Sequence, residues 1–121
     1  MKIVIINGAN LNLLGRREPS IYGTKSMEQV LVDIQRAYPD VHFEYRQSNH
    51  EGDLIDWIQE VSVAYGLEDT CQRAIDGTSA TLVDRSSGCK EVKGVILNAG
   101  GYTHTSIALR DAIACAEVQC L

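Results

Sequence analysis

Two periodicities alternate along this chain. Lys2 to Asn7 reads KIVIIN, a continuous β-branched run that ends at Gly8. An unbroken apolar run suits the central strand of a parallel sheet, where both faces are covered. After a loop to about Thr24, Ser26 and Gln29 match the S-x-x-Q capping box. Met27, Val30, Leu31 and Ile34 then recur at helical spacing until Tyr38-Pro39 ends the pattern. VHFEYRQ (Val41 to Gln47) sets Val41, Phe43 and Tyr45 against polar neighbours, a strand with one less buried face. Ser48 with Glu51 predicts the start of a second helix that carries Leu54, Ile55, Ile58 and Val61. From about Ser62 to Lys93 the period fails in a mixture of Gly, Ser, Thr and Asp, and the stretch reads as an insertion or long surface loop. GVILNAGG (Gly94 to Gly101) then repeats the design of IVIINGAN, an apolar strand delivering an asparagine into a glycine turn. A third helix is expected from about Ser106, with Ile107, Leu109, Ala112 and Ile113 available for burial, before the closing EVQCL. Strand and helix alternate throughout, so the expected class is an α/β doubly wound parallel sheet.

Composition narrows the function more than the fold. A chain of 121 residues supports one core and hence one domain. Its net charge of -5 removes long-range attraction to nucleic acid or anionic lipid, so neither partner is expected. MKIVIING is too short an apolar run for a signal region or a membrane span, which leaves a cytoplasmic protein as the expectation. Cys71, Cys89, Cys115 and Cys120 form no C-x-x-C pair, and no histidine stands at zinc-site spacing, so no metal site is expected. Reduced thiols are the default, with Cys71 and Cys89 able to pair under oxidising conditions.

In open parallel sheets ligands bind beyond the carboxyl ends of the strands, where the strand order reverses. Asn10 and Asn12 follow the first strand there, and Asn98 and His104 follow the third. The segment GRREPSIYG (Gly15 to Gly23) leaves from the same edge and adds Arg16, Arg17 and Tyr22. A tyrosine is a useful base only as phenolate, scarce at neutral pH because the ordinary pKa is about 10. A neighbouring guanidinium favours the anion and lowers that value. Arg17 is the better partner, since the turn-forming residues between allow it to fold back on Tyr22, while Arg16 reads as solvated. Glycines at both ends and Pro19 between them suit a lid. Each residue also has a plain structural reading. Tyr22 could pair with arginine on the surface through its ring, His104 could serve the start of a helix, and Asn10 and Asn98 could simply form turns.

Taken in order, INGANLNLLGRREPSIYG, QSNHEG and ILNAGGYTHTSIALRDA closely resemble type II dehydroquinase, the small 3-dehydroquinate dehydratase. The resemblance covers everything except about residues 62–93. It implies a flavodoxin-like fold and loss of water from 3-dehydroquinate to give 3-dehydroshikimate, with no metal, no Schiff base and no cofactor. On the family pattern Tyr22 is the base, Arg17 lowers its pKa, and a water near Asn10 stabilises the enolate. Asn98 and His104 match residues that bind the substrate, and Asp111 matches one reached by a neighbouring subunit. Trimers that build a dodecamer are implied, hence a homo-oligomer. The family pattern runs on to an E-V-H histidine that protonates the departing hydroxyl, and then to a last strand and helix. AIACAEVQCL fits the helix and the beginning of that strand, so these elements are expected past Leu121. The alternative reading is a non-catalytic remnant that binds ligand or partner subunits. A nucleotide binder would want G-x-G-x-x-G or a phosphate loop after the first strand, and GANLNLLG is neither.

Overall fold

Strand β1 (Lys2–Ala9) lies at the centre of a parallel sheet, between β2 (His42–Gln47) and β3 (Val92–Gly100). The computed structural model describes residues 1–16, 18–66 and 92–121. Four helices accompany the strands: α1 (Pro19–Tyr22), α2 (Met27–Ala37), α3 (Glu51–Gly66) and α4 (Ile107–Cys115). Short 3-10 turns at Leu11–Leu13 and Gly101–Thr103 follow β1 and β3. The α/β doubly wound expectation holds, in the 2-1-3 order of flavodoxin-like sheets. Residues 119–121 extend it on the far side of β3. Val95 N–H donates to the Gln119 carbonyl at 2.9 Å, Leu121 N–H to Val95 at 2.9 Å and Leu97 N–H to Leu121 at 2.8 Å. Cys120 thus forms a parallel bridge with Val95, at the place where the family resemblance implied the start of a further strand.

The central run behaves as its composition demands. Val4, Ile5 and Ile6 are all buried, as an unbroken apolar run in a central parallel strand requires. Val4 and Ile6 face a core built with Leu54, Ile58 and Val61 of α3, Val95 of β3, and Leu109 and Ala112 of α4. Truncating Leu54 or Ile58, both wholly excluded from solvent, falls in the class of change that costs about 2–5 kcal/mol. Helix α2 presents the predicted stripe of Met27, Val30, Leu31 and Ile34, but each is only half-buried. Its capping box forms as expected, with Ser26 Oγ accepting from Gln29 N–H and Gln29 Oε1 accepting from Ser26 N–H.

Several local expectations are corrected. The segment Gly15 to Gly23 does contain one helical turn, α1. Pro19 starts it where a missing N–H costs nothing, and Gly23 ends it at a φ of 79°. Ser48 serves the start of α3 through Asp53 and not Glu51, donating to Asp53 Oδ2 at 2.5 Å while accepting from His50 N–H. Helix α3 does not stop at Val61 but continues to Gly66, its Ser62 hydroxyl bonding back to the Ile58 carbonyl. Of the insertion expected at about 62–93, residues 62–66 belong to α3 and residues 92–93 to β3, while 67–91, with Cys71 and Cys89 among them, lie outside the described residues. Ile107, expected to be buried, is 83% exposed because it occupies the first turn of α4 on the side away from Leu109.

β1 and β3 approach each other closely at their carboxyl ends. A Cβ on Gly8 would sit 2.3 Å from the Ala99 carbonyl oxygen, and one on Gly100 2.6 Å from that of Ala9. Since the obstacle is backbone, it cannot swing aside. Along β2, Glu44 bonds Lys2 and Arg46, and Arg46 reaches Glu60 at 2.8 Å with its guanidinium over the Trp57 ring. Burial raises the Glu44 pKa, but Lys2 and Arg46 together outweigh it and hold the carboxyl below its ordinary range.

Three substitutions test these contacts. In urea unfolding, Gly8→Ala should lose roughly 1–3 kcal/mol by overpacking. Gly52→Ala, where a Cβ meets nothing within 4 Å, should be neutral or gain up to about 1 kcal/mol. The lowered Glu44 pKa gives a contribution that is complete above the ordinary glutamate range and is lost as pH falls through the folded value. Glu44→Gln should therefore cost about 0.5–1 kcal/mol at pH 7, after allowance for screening, and the difference should vanish in acid. A gap that persists unchanged at low pH would contradict the ion-pair origin.

Candidate active site

In the order 2-1-3 the chain turns back between β1 and β3, so the crevice of a doubly wound sheet opens where these strands end. The register sets Asn7 opposite Asn98 and Ala9 opposite Gly100. The likeness of IVIINGAN to GVILNAGG thus becomes a spatial pairing, with two adjacent strands carrying polar turns to one edge. Asn10 follows β1 with a φ of 69°, a left-handed conformation that asparagine tolerates better than most residues. Asn98 Oδ1 accepts from Gly100 N–H at 3.1 Å and so braces the turn it opens. His104 closes the 3-10 turn Gly101–Thr103, its N–H directed at the Gly101 carbonyl, and its side chain is exposed. Two residues later Ser106 caps α4 by accepting from Leu109 N–H at 2.9 Å.

Asn10, Asn98 and His104 therefore share the strand-end edge, as the sequence predicted. Asp111 does not. It sits on α4 beside a groove of about 490 Å³ between α3 and α4, with Gln59, Ser62, Cys115 and Glu117 among its walls. Asn12 lines a smaller cavity of about 180 Å³ on the β2 side, with Met27, Tyr45 and Gln47. Arg17 lies outside the described residues, and for Tyr22 the description extends to its backbone as the last residue of α1. Arg16 is exposed. The Glu28 carboxyl is held below its ordinary range first by its own backbone N–H and by Ser26, with Arg16 adding a smaller attraction.

Sequence reasoning missed the residue that ties this edge together. Asn49 Oδ1 accepts from Asn10 N–H at 3.0 Å and from Gln47 Nε2 at 3.1 Å. The Asn49 main-chain carbonyl accepts from Tyr102 Oη at 2.8 Å. Gln47 Nε2 also reaches the Gly8 carbonyl at 3.3 Å. The available signal was the place of QSNHEG at the end of β2, which the 2-1-3 order brings to the edge where β1 ends. Behind this edge Asn7 is buried and directs Nδ2 to Met27 Sδ and Tyr45 Oη. Burial raises the Tyr45 pKa against the opposing pull of Asn7, and Glu28 adds to the rise, so that phenol stays neutral.

The family described as Dehydroquinase class II matches residues 1–71 and 67–121. The 3-dehydroquinate dehydratase of Exiguobacterium sp. is 45% identical over 114 residues, spanning 93% of this chain and 59% of that protein. 3-Dehydroquinate dehydratase 1 of Agrobacterium fabrum is 41% identical over 113 residues, covering 92% and 59%. The chain thus spans about three fifths of the length of these relatives. The crystal structure of type II dehydroquinase from Butyrivibrio crossotus superposes with a TM-score of 0.69 at 36% identity, over 99% of this chain and 67% of the other. A family match across both halves of the chain, relatives above 40% identity and a superposition at a TM-score of 0.69 lead to one assignment: this chain belongs to the class II dehydroquinase family.

Proposed function

We propose that the chain acts in a 3-dehydroquinate dehydratase, eliminating water from 3-dehydroquinate to give 3-dehydroshikimate, and that it carries the base of that reaction. The observation that carries this reading is the delivery of Asn10 by β1 and of Asn98 and His104 by β3 to one strand-end edge, in a chain of this family. Tyr22 is the base and Arg17 the cation that favours its phenolate. The phenolate takes a proton from the carbon beside the ketone, and negative charge moves onto the ketone oxygen. A water held near Asn10 stabilises that enolate by hydrogen bonding. The enolate pair then re-forms the ketone and the C–O bond breaks. The departing hydroxyl takes a proton from a general acid, the role of the E-V-H histidine in the family pattern, so that water leaves and the conjugated enone, 3-dehydroshikimate, remains. Asn98 and His104 hold the substrate hydroxyls and carboxylate, and Asp111, set apart in the α3/α4 groove, is reached from a neighbouring copy in a homo-oligomer.

No helix among the described residues is long and apolar enough to cross a membrane. A cytoplasmic location and a small-molecule partner complete the proposal, as does an insertion within the helix-to-strand connection, confined to the residues between Gly66 and Val92.

Proton abstraction can be read apart from the loss of water. Incubated in D₂O with 3-dehydroquinate, the folded chain should exchange deuterium into the carbon beside the ketone, followed by NMR. Tyr22→Phe should reduce the exchange at least 10²-fold, the order expected for loss of a positioned base, with an unchanged circular dichroism spectrum. No exchange above the solvent rate in a well-folded wild-type sample would overturn the reading.

A further inference from the structure

Two of the residues placed in the site hang from different strands. Asn10 follows β1, and His104 follows β3 through the turn Gly101–Thr103. Nothing in the β1–β3 ladder fixes their mutual placement, because both lie past its last pair, Ala9 opposite Gly100. Asn49, just past the end of β2, touches both loops: its side chain holds the Asn10 N–H, and its main-chain carbonyl holds the Tyr102 hydroxyl two residues before His104. We propose that Asn49 is a positioning residue of the site, clamping the Asn10 turn with its side-chain oxygen and the His104 turn with its backbone. This rests on the dehydratase reading for its effect on turnover, though not for the clamp itself.

The chemistry fixes which atom matters. Asn10 N–H can only donate, and so can Gln47 Nε2, so both require the Asn49 side-chain oxygen. The clamp therefore uses Asn49 purely as an acceptor, and a carboxylate oxygen would serve in its place. Asn49 itself is firmly seated. Ser48 N–H donates to the Asn7 carbonyl at 3.1 Å, and the Ser48 hydroxyl bridges Asp53 and His50 N–H at the start of α3. The held residue, in turn, needs holding: at a φ of 69° Asn10 occupies a region that costs non-glycine residues energy. Its N–H bond to Asn49 opposes a return to extended backbone, which would redirect both the Asn10 side chain and the Leu11–Leu13 turn. Because Asn49 is exposed, truncating it leaves the core untouched.

The test compares Asn49→Ala with Asn49→Asp. Amide hydrogen exchange by NMR should show Asn10 exchanging about tenfold faster in the Ala variant, the order expected for one lost hydrogen bond, with Val4 and Val95 unchanged. The Asp variant should restore protection. In the deuterium-incorporation assay the Ala variant should lose on the order of tenfold in maximal rate with half-saturating substrate within about twofold, and Asp should recover it. Tyr102→Phe cuts the other arm and should lower the same maximal rate while leaving Asn10 protected. A purely stabilising role would instead raise exchange at Val4 and Val95 in parallel, and that result overturns the proposal. So does Asn10 exchange that is equal in wild type and Ala variant, or an Asp variant no better than Ala. If wild type incorporates no deuterium, the dehydratase reading fails by itself, and the Asn10 exchange ratio still decides the clamp.

Discussion

The contact on which the rest depends is the close pairing of β1 with β3 at their carboxyl ends. There position 8 strongly favours glycine, because the Ala99 carbonyl occupies the space a Cβ would need. Gly100 meets Ala9 in the same way from the other strand. Two mutual approaches of this kind lock the register that puts Asn7 beside Asn98, and that register decides where the following turns emerge. A slip of one residue would send Val4 and Ile6 away from α3 and α4, losing the core and the edge together. Packing and function are thus joined at the backbone level before any catalytic side chain is considered.

β2 plays a different part. It contributes little to the α3/α4 core, yet the residues just past its end govern the geometry of the other two strands' loops. Gln47 donates to the Gly8 carbonyl, Asn49 accepts from Asn10 N–H, and the Tyr102 hydroxyl, in the turn after β3, donates to the Asn49 carbonyl. A doubly wound sheet makes this possible because parallel strands all end on one side. The helices that follow them start there too, each held by a serine: Ser26 on α2, Ser48 before α3 and Ser106 on α4.

The fold was legible where periodicity and burial agree. KIVIIN announced a central strand because burial on both faces leaves no polar position, and the stripe of α2 announced itself through Met27, Val30, Leu31 and Ile34. Legibility failed where a local signal is shared by several structures. Pro19 and the bordering glycines read as turn formers, whereas the same proline can open a helical turn. Serine and threonine after Val61 concealed the last turn of α3, since Ser62 satisfies itself on the Ile58 carbonyl and leaves the helix intact. Asn10, Asn98 and His104 could be placed on one edge from strand order alone. Asn49 could not be singled out, because its importance comes from contacts between residues about 40 and 53 positions apart, and no local pattern encodes them.

The pair Asn7-Gly8 carries a chemical liability as well as a structural role. In a flexible chain an asparagine followed by glycine is the sequence most open to attack of the next peptide nitrogen on the side-chain amide, which leads through a cyclic imide to aspartate or isoaspartate. Here the ordinary remedy, a bulkier residue at position 8, is closed by the Ala99 carbonyl. Protection must come from the fold itself: Asn7 is 5% exposed, extended within β1, and its amide is engaged by Met27 and Tyr45. Chemical ageing at this position therefore records how long β1 has spent out of the sheet, and each such lesion would place a new carboxylate in the core directly behind the site.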